Sequence, residues 1–222
     1  TTISPPPRCH HALAVDIARA RVVLFGGSSN LYSGGDTGDT WEFDGSNWTQ
    51  MQPANQPIAR RNARMEYDLV RGRIVLFGGA NSSGVFGDTW DWNGAAWTML
   101  NPVASPGLRF RHGMTFDYAH GRIVLFGGSS ASVSQLTDTW TWDGTNWTQL
   151  GVLGPSTQGG FGLTNDVGGT LIVLFGGAAT NDTWLFDHIA WRRDPRTPTP
   201  SVRLWSSITH DLLRNRTVLF GG

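Results

Sequence analysis

The seven residues RIVLFGG stand at positions 73–79 and again at 122–128. Its shorter form, VLFGG, occurs five times, beginning at Val23, Val75, Val124, Val173 and Val218, in steps of 52, 49, 49 and 45 residues. A period near 50 constrains the fold more than any other property of the chain. A unit of that size cannot bury both its faces alone and must stack against copies of itself. A second motif, DTW, follows the first four copies at Asp39–Trp41, Asp88–Trp90, Asp138–Trp140 and Asp182–Trp184, and a further tryptophan follows each at Trp48, Trp97, Trp147 and Trp191.

Each unit reads as four short strands. VLFGG is apolar and β-branched, the composition of a buried strand, and its Gly pair permits positive φ or a close backbone approach. DTWEFDG alternates, placing Trp41 and Phe43 on one face and Thr40 and Glu42 on the other. DG or NG then leads into the third motif, a strong hairpin signal; the fourth copy reads DHIAW, and without the glycine its turn is expected to differ in type. Before each VLFGG lies another strand ending on Asp16, Asp68, Asp117, Asp166 or Asp211. Eight residues earlier stand Arg8, Arg60, Arg109, Gln158 and Arg203, and five residues later Arg21, Arg73, Arg122, Leu171 and Arg216. These aspartates are expected to cap tight turns with local ion pairs.

PRCHHALAVD…RVVLFGG…DTWEFDG…NWTQM resembles a kelch repeat of the sort found in bacterial kelch-like proteins, and the resemblance runs along essentially the whole chain. It implies an all-β fold, a kelch-like β-propeller, with the Arg-to-Asp strand innermost, then VLFGG, DTW and the Trp-terminated outer strand. On that order residues 8–51, 60–100, 109–150 and 158–192 form four complete four-stranded blades, and residues 203–222 form the two inner strands of a fifth. Trp41, Trp90, Trp140 and Trp184 are expected between blades, where large aromatic side chains contribute several kcal/mol each at roughly 25 cal/mol per Å² buried. Residues 1–7 carry three prolines and cannot supply two missing strands. Further blades, or self-association with another copy, are therefore expected to complete the ring.

Composition excludes several functions. The chain is 39% hydrophobic and 15% charged, enough apolar content for a core. Its 17 basic residues are all arginine and balance 17 acidic ones, so no basic excess is available for nucleic acid. The absence of lysine removes Schiff-base chemistry. One cysteine, Cys9, gives no internal disulfide framework, and no apolar run is long enough to span a membrane. Five glycosylation sequons occur, two of them by-products of the repeat, and no modification is inferred from them.

Function is sought where the copies differ. The segments after the Gly pairs, SSNLYSGGDTG, ANSSGVFG, SSASVSQLT and AATN, differ in length and content. So do the positions opening each inner strand: His10, Asn62, Arg111, Gly160 and Trp205. In the kelch resemblance these surround one mouth of the central channel. With Arg8, Arg60, Arg109 and Arg203 beside them, that mouth would suit a carboxylate-bearing ligand, because guanidinium offers a bidentate fork. Tyr32, Phe86 and Trp205 are available there for stacking. The competing reading is that these arginines are stacked, or paired with the turn acids.

No metal or other cofactor is expected. His10 and His11 are strand neighbours on opposite faces and cannot easily share an ion. His112 aligns with His11 as a packed residue, and His120, His188 and His210 are scattered among turns. Galactose-oxidase-like kelch enzymes hold copper between two tyrosines and two histidines, with one tyrosine cross-linked to cysteine; Tyr67, Tyr118 and Cys9 do not reproduce that set. The expectation is a non-catalytic binding or scaffold module, extracellular or at the cell surface, taking a protein or glycan ligand at the mouth. The alternatives are a carbohydrate-active or oxidase-type enzyme with its site at the same mouth, and a purely structural segment.

Overall fold

The computed structural model describes residues 3–222 except 31–33, 158, 159, 167, 178, 179, 197, 198, 212 and 215. Among the described residues all regular structure is β, and no helix is long and apolar enough to cross a membrane. The chain divides into two compact units, Thr1–Phe110 and Arg111–Gly222.

The first unit holds two four-stranded antiparallel sheets. One is built from β1 (Ala12–Asp16), β2 (Arg21–Ser28), β3 (Asp36–Phe43) and β4 (Trp48–Met51), in that order. The other has β5 (Arg64–Asp68), β6 (Arg73–Phe77), β9 (Thr89–Trp92) and β10 (Trp97–Leu100); a short ribbon of β7 (Ala80–Asn81) and β8 (Gly84–Val85) stands apart from it. The second unit repeats the pattern with β11 (Gly113–Asp117), β12 (Arg122–Gly128), β13 (Leu136–Trp142) and β14 (Trp147–Leu153), then β15 (Gly162–Asn165), β16 (Ile172–Phe175), β17 (Thr183–Phe186) and β18 (Trp191–Arg193). A two-stranded sheet of β19 (Ser207–Asp211) and β20 (Arg216–Phe220) follows. These are the four propeller blades and the two-stranded fifth that the repeat predicts, with strands in the expected order.

Register explains how the blades pack. In the second blade Tyr67 pairs with Ile74 and Leu76 with Trp90, while Ile74 also faces Trp92 and Trp92 faces Trp97. Those side chains share one face. They join Ala12, Val23 and Phe25 of the first blade in a single buried cluster. Trp90 is 6% exposed and belongs to it, as expected of the DTW tryptophan. The most deeply buried tryptophans, however, are Trp92, Trp142 and Trp147. Trp92 and Trp142 end the third strand, where copies one and four carry Phe43 and Phe186. In the second unit, Val124 meets Ile172 and Phe186, while Phe126 meets Phe161 and Leu174.

Polar bonds cross the same faces. The Trp97 indole donates to Thr40 Oγ1 at 2.9 Å, and Trp191 makes the equivalent bond to Thr139 at 3.0 Å. Trp92 donates to Glu42 Oε1 at 2.9 Å, and Glu42 is held in turn by Arg19, which also reaches Asp16. The third motif and the inner threonine of DTW therefore stitch one blade to the next as well as filling space.

The fourth hairpin corrects an expectation. Despite lacking glycine, the turn Asp187–Ala190 closes with the same bonds as its counterparts: Asp187 N donates to Ala190 O, and Asp187 Oδ1 accepts the amides of Ile189 and Ala190. His188 simply adopts φ 69°, in the left-handed region where Gly45, Gly94 and Gly144 lie at 95–98°. The aspartate cap determines the turn and the histidine bears the strain.

Candidate functional site

The recurrent arginine before each inner strand has a structural assignment that the sequence left open. Arg60 N donates to Thr37 O, and Gly27 N donates to Arg60 O, so its backbone is braced on the first blade. Its side chain reaches the second. Nη1 donates to Gly78 O at 3.0 Å, and the guanidinium grips both oxygens of Asp88 at 2.5 and 2.9 Å. The centroid of the Phe86 ring lies 4.1 Å from its Cζ atom. Arg8 repeats the pattern on Gly26 O and Asp39. The acid partner is the DTW aspartate and not the turn acid; the same aspartate also accepts the indole N–H of Trp41 or Trp90.

This geometry answers why the Gly pair recurs. A Cβ on Gly26 would lie 2.6 Å from Arg60 O, and one on Gly79 would lie 2.9 Å from Ala63 Cβ. The next segment of chain passes too close for any side chain.

Arg8, Arg60 and Arg109 are thus inward-facing. Their side chains are 4% and 0% exposed for Arg8 and Arg60, and Arg109 is 2% exposed as a residue. Arg203 differs in exposure, donating to Gly221 O and to Ser201. Phe86 lies against Arg60. Tyr32 lies outside the described residues.

What the structure does place at the strand openings is a set of strained residues. His10, Asn62, Arg111 and Trp205 have φ of 57°, 56°, 60° and 62°, and Gly160, in the corresponding place, has 69°. Left-handed backbone costs a non-glycine residue of order 1–3 kcal/mol and persists only where the surroundings impose it. Here backbone bonds impose it: Asn62 N donates to His10 O, and Trp205 N donates to Gly160 O, each at 2.9 Å. In the second unit Arg111 stacks on Trp205, its Cζ 4.9 Å from the ring centroid. Trp205 is 51% exposed, and a Cβ on Gly160 would come within 3.2 Å of its ring, so the glycine leaves the indole its place. Sequence inspection missed the strain; the one signal for it was the glycine aligned with four unlike residues.

The other candidates divide clearly. Tyr67 is buried in the cluster between the first two blades, and Tyr118 packs edge-on against Phe116. His112 is fully buried. Burial, then Arg8, Arg64 and His10, lower the pKa of His11, which keeps its imidazole neutral.

The paired sheets, the Arg–Gly–Asp–Trp network and the Gly doublet describe a kelch blade. The chain matches the family described as the KLHDC2/KLHL20/DRC7 Kelch-repeats domain over residues 1–177. It belongs to the kelch-repeat family. No curated protein matches it.

The network makes stability depend on pH. Burial raises the carboxyls of Asp39 and Asp88, but the guanidinium of Arg8 or Arg60, together with Trp41 or Trp90, outweighs it and holds both below their ordinary value. A depressed folded pKa contributes stability that is fully present above the unfolded value of about 3.9 and is lost as pH falls through the folded one. Urea midpoints are expected to hold from neutral pH to about 5 and to drop steeply below about 4. Asp88→Asn should be less stable at neutral pH and show a shallower acid slope; an identical slope in the variant would remove Asp88 from this role.

Proposed function

We propose that the chain is a non-catalytic binding module taking a protein ligand on the face where the inner strands begin, with an acidic segment of that ligand seated on Arg111 and Trp205. The observation that carries this reading is the pair itself. A guanidinium on a half-exposed indole occupies two positions that the fold holds in left-handed backbone, where glycine would be cheaper. Side chains kept at an energetic cost on a rigid scaffold are characteristic of recognition sites. His10 and Asn62 occupy the matching positions of the first unit. Arg8, Arg60 and Arg109 enter this proposal as the posts that position those residues, not as ligand contacts.

Arg111→Gly and Trp205→Gly each remove the side chain and the strain together. Binding of acidic peptides to the full chain, measured by surface plasmon resonance, should weaken at least about tenfold in each variant, as for an interface hot spot, with thermal stability unchanged or raised. Wild-type affinity should fall with added salt, because salt screens the attraction between a guanidinium and carboxylates. Peptides that bind both variants as tightly as the wild type would refute the assignment. Capture of neutral glycans in place of peptides, with no salt dependence, would replace the protein ligand by a sugar stacked on Trp205.

A further inference from the structure

At the far end of β11 from Arg111, two departures from the repeat meet. The first is His120, three residues after Asp117, where the first two blades have Arg19 and Arg71 bonded to Asp16 and Asp68. The second is His188, in the hairpin position that the other three complete blades give to glycine. Both imidazoles face the same buried carboxylate. His120 Nδ1 lies 3.0 Å and His188 Nδ1 3.1 Å from Asp117 Oδ2, and the three ligand atoms fall within 4.8 Å of one another. The ring centroids of the two histidines are 4.3 Å apart.

The tautomer of His188 is decisive. Its Nε2 lies 2.9 Å from Thr170 O, and a carbonyl can only accept, so Nε2 carries a proton. In a neutral ring Nδ1 then carries the lone pair, and it lies 3.1 Å from a carboxylate oxygen. That contact falls outside hydrogen-bond geometry, and Nδ1 has no other hydrogen-bond partner. Two lone pairs 3.1 Å apart repel unless a cation lies between them. A metal-bound histidine characteristically donates its other ring N–H to a backbone carbonyl, as His188 does. Tetrahedral bonds of about 2.0–2.1 Å to zinc set ligand atoms about 3.3 Å apart, close to the 3.0 and 3.1 Å that separate the two Nδ1 atoms from Asp117 Oδ2.

We propose that Asp117, His120 and His188 form a binding site for a borderline divalent cation of the zinc class, which ties the inner turn of the third blade to the outer hairpin of the fourth. Two imidazoles and one carboxylate suit zinc, cobalt or nickel better than calcium or magnesium, which prefer oxygen. His120, 46% exposed, forms the solvent side of the site and leaves room there for a fourth ligand. Arg122 Nε, 3.2 Å from the same oxygen, places a positive charge beside the site and tempers the affinity.

The test uses the full chain with Zn²⁺ or Co²⁺ as the only additive. Calorimetry should show one equivalent bound, and Co²⁺ should give the visible absorption of a four-coordinate site. His120→Arg and His188→Gly restore residues the repeat uses elsewhere, so both should fold. Each should weaken binding by at least about 100-fold, more than the loss of a residue that merely supports a ligand. His210→Ala, outside the cluster, should bind as the wild type does. No uptake by the wild type, or uptake that survives both cluster variants, would overturn the site.

Discussion

Replacing Arg60 with alanine is expected to destabilise the protein by about 3–5 kcal/mol, the usual result of removing one member of a buried, hydrogen-bonded ion pair. The reason lies in how many groups the guanidinium satisfies. It donates to Ile58 O, to Gly78 O and to both oxygens of Asp88, with a side chain that is 0% exposed. Alanine leaves two carbonyls and a carboxylate without those donors and opens a void beside Phe86. Lysine should rescue little. One ammonium cannot span the planar fork or stack on the ring. Urea unfolding at neutral pH measures this directly. A loss below about 1 kcal/mol would mean that water replaces the guanidinium and that the repeated arginine is not a structural post.

Trp92→Ala is expected to cost a similar amount, about 3–5 kcal/mol, by the cavity it leaves. Trp92 is 0% exposed and packs against Trp97 at a centroid distance of 5.3 Å. Its indole N–H also satisfies Glu42, a largely buried acid otherwise held by Arg19. Packing and hydrogen bonding separate in a second variant. Trp92→Phe keeps most of the ring and supplies the residue found at this place in copies one and four. It should cost about 1–2 kcal/mol, chiefly the lost bond to Glu42. If Phe and Ala prove equally damaging, the hydrogen bond dominates; if Phe is neutral, Glu42 is adequately held by Arg19 alone.

The arginines show where legibility stopped. Their recurrence eight residues before a turn aspartate was plain, and so was the choice between ligand contact and ion pair. Which acid they pair with was not, because Arg60 and Asp88 are brought together by strand order and not by a local spacing. Trp92 was equally visible as a letter. Its place between blades follows from β9 register, in which Trp90 and Trp92 share a face, so either tryptophan could have been assigned inward from alternation alone. Trp205 was a candidate from its variability, but its left-handed backbone and its contact with Arg111 belong to the fold.

The sequence by itself determined the repeat and the four strands of each complete unit, because hydrophobic period and glycine placement act locally and recur, and the kelch resemblance carried by those motifs implied the strand order. It also confined the variable residues to the strand openings and loops. Only the tertiary structure decided that the repeated arginines brace the blades, that the opening residues are held in left-handed strain, and that His120 and His188 converge on Asp117. Each of those depends on groups from different blades or loops. Their distance apart is set by how strands pair and sheets stack, which no short stretch of sequence encodes.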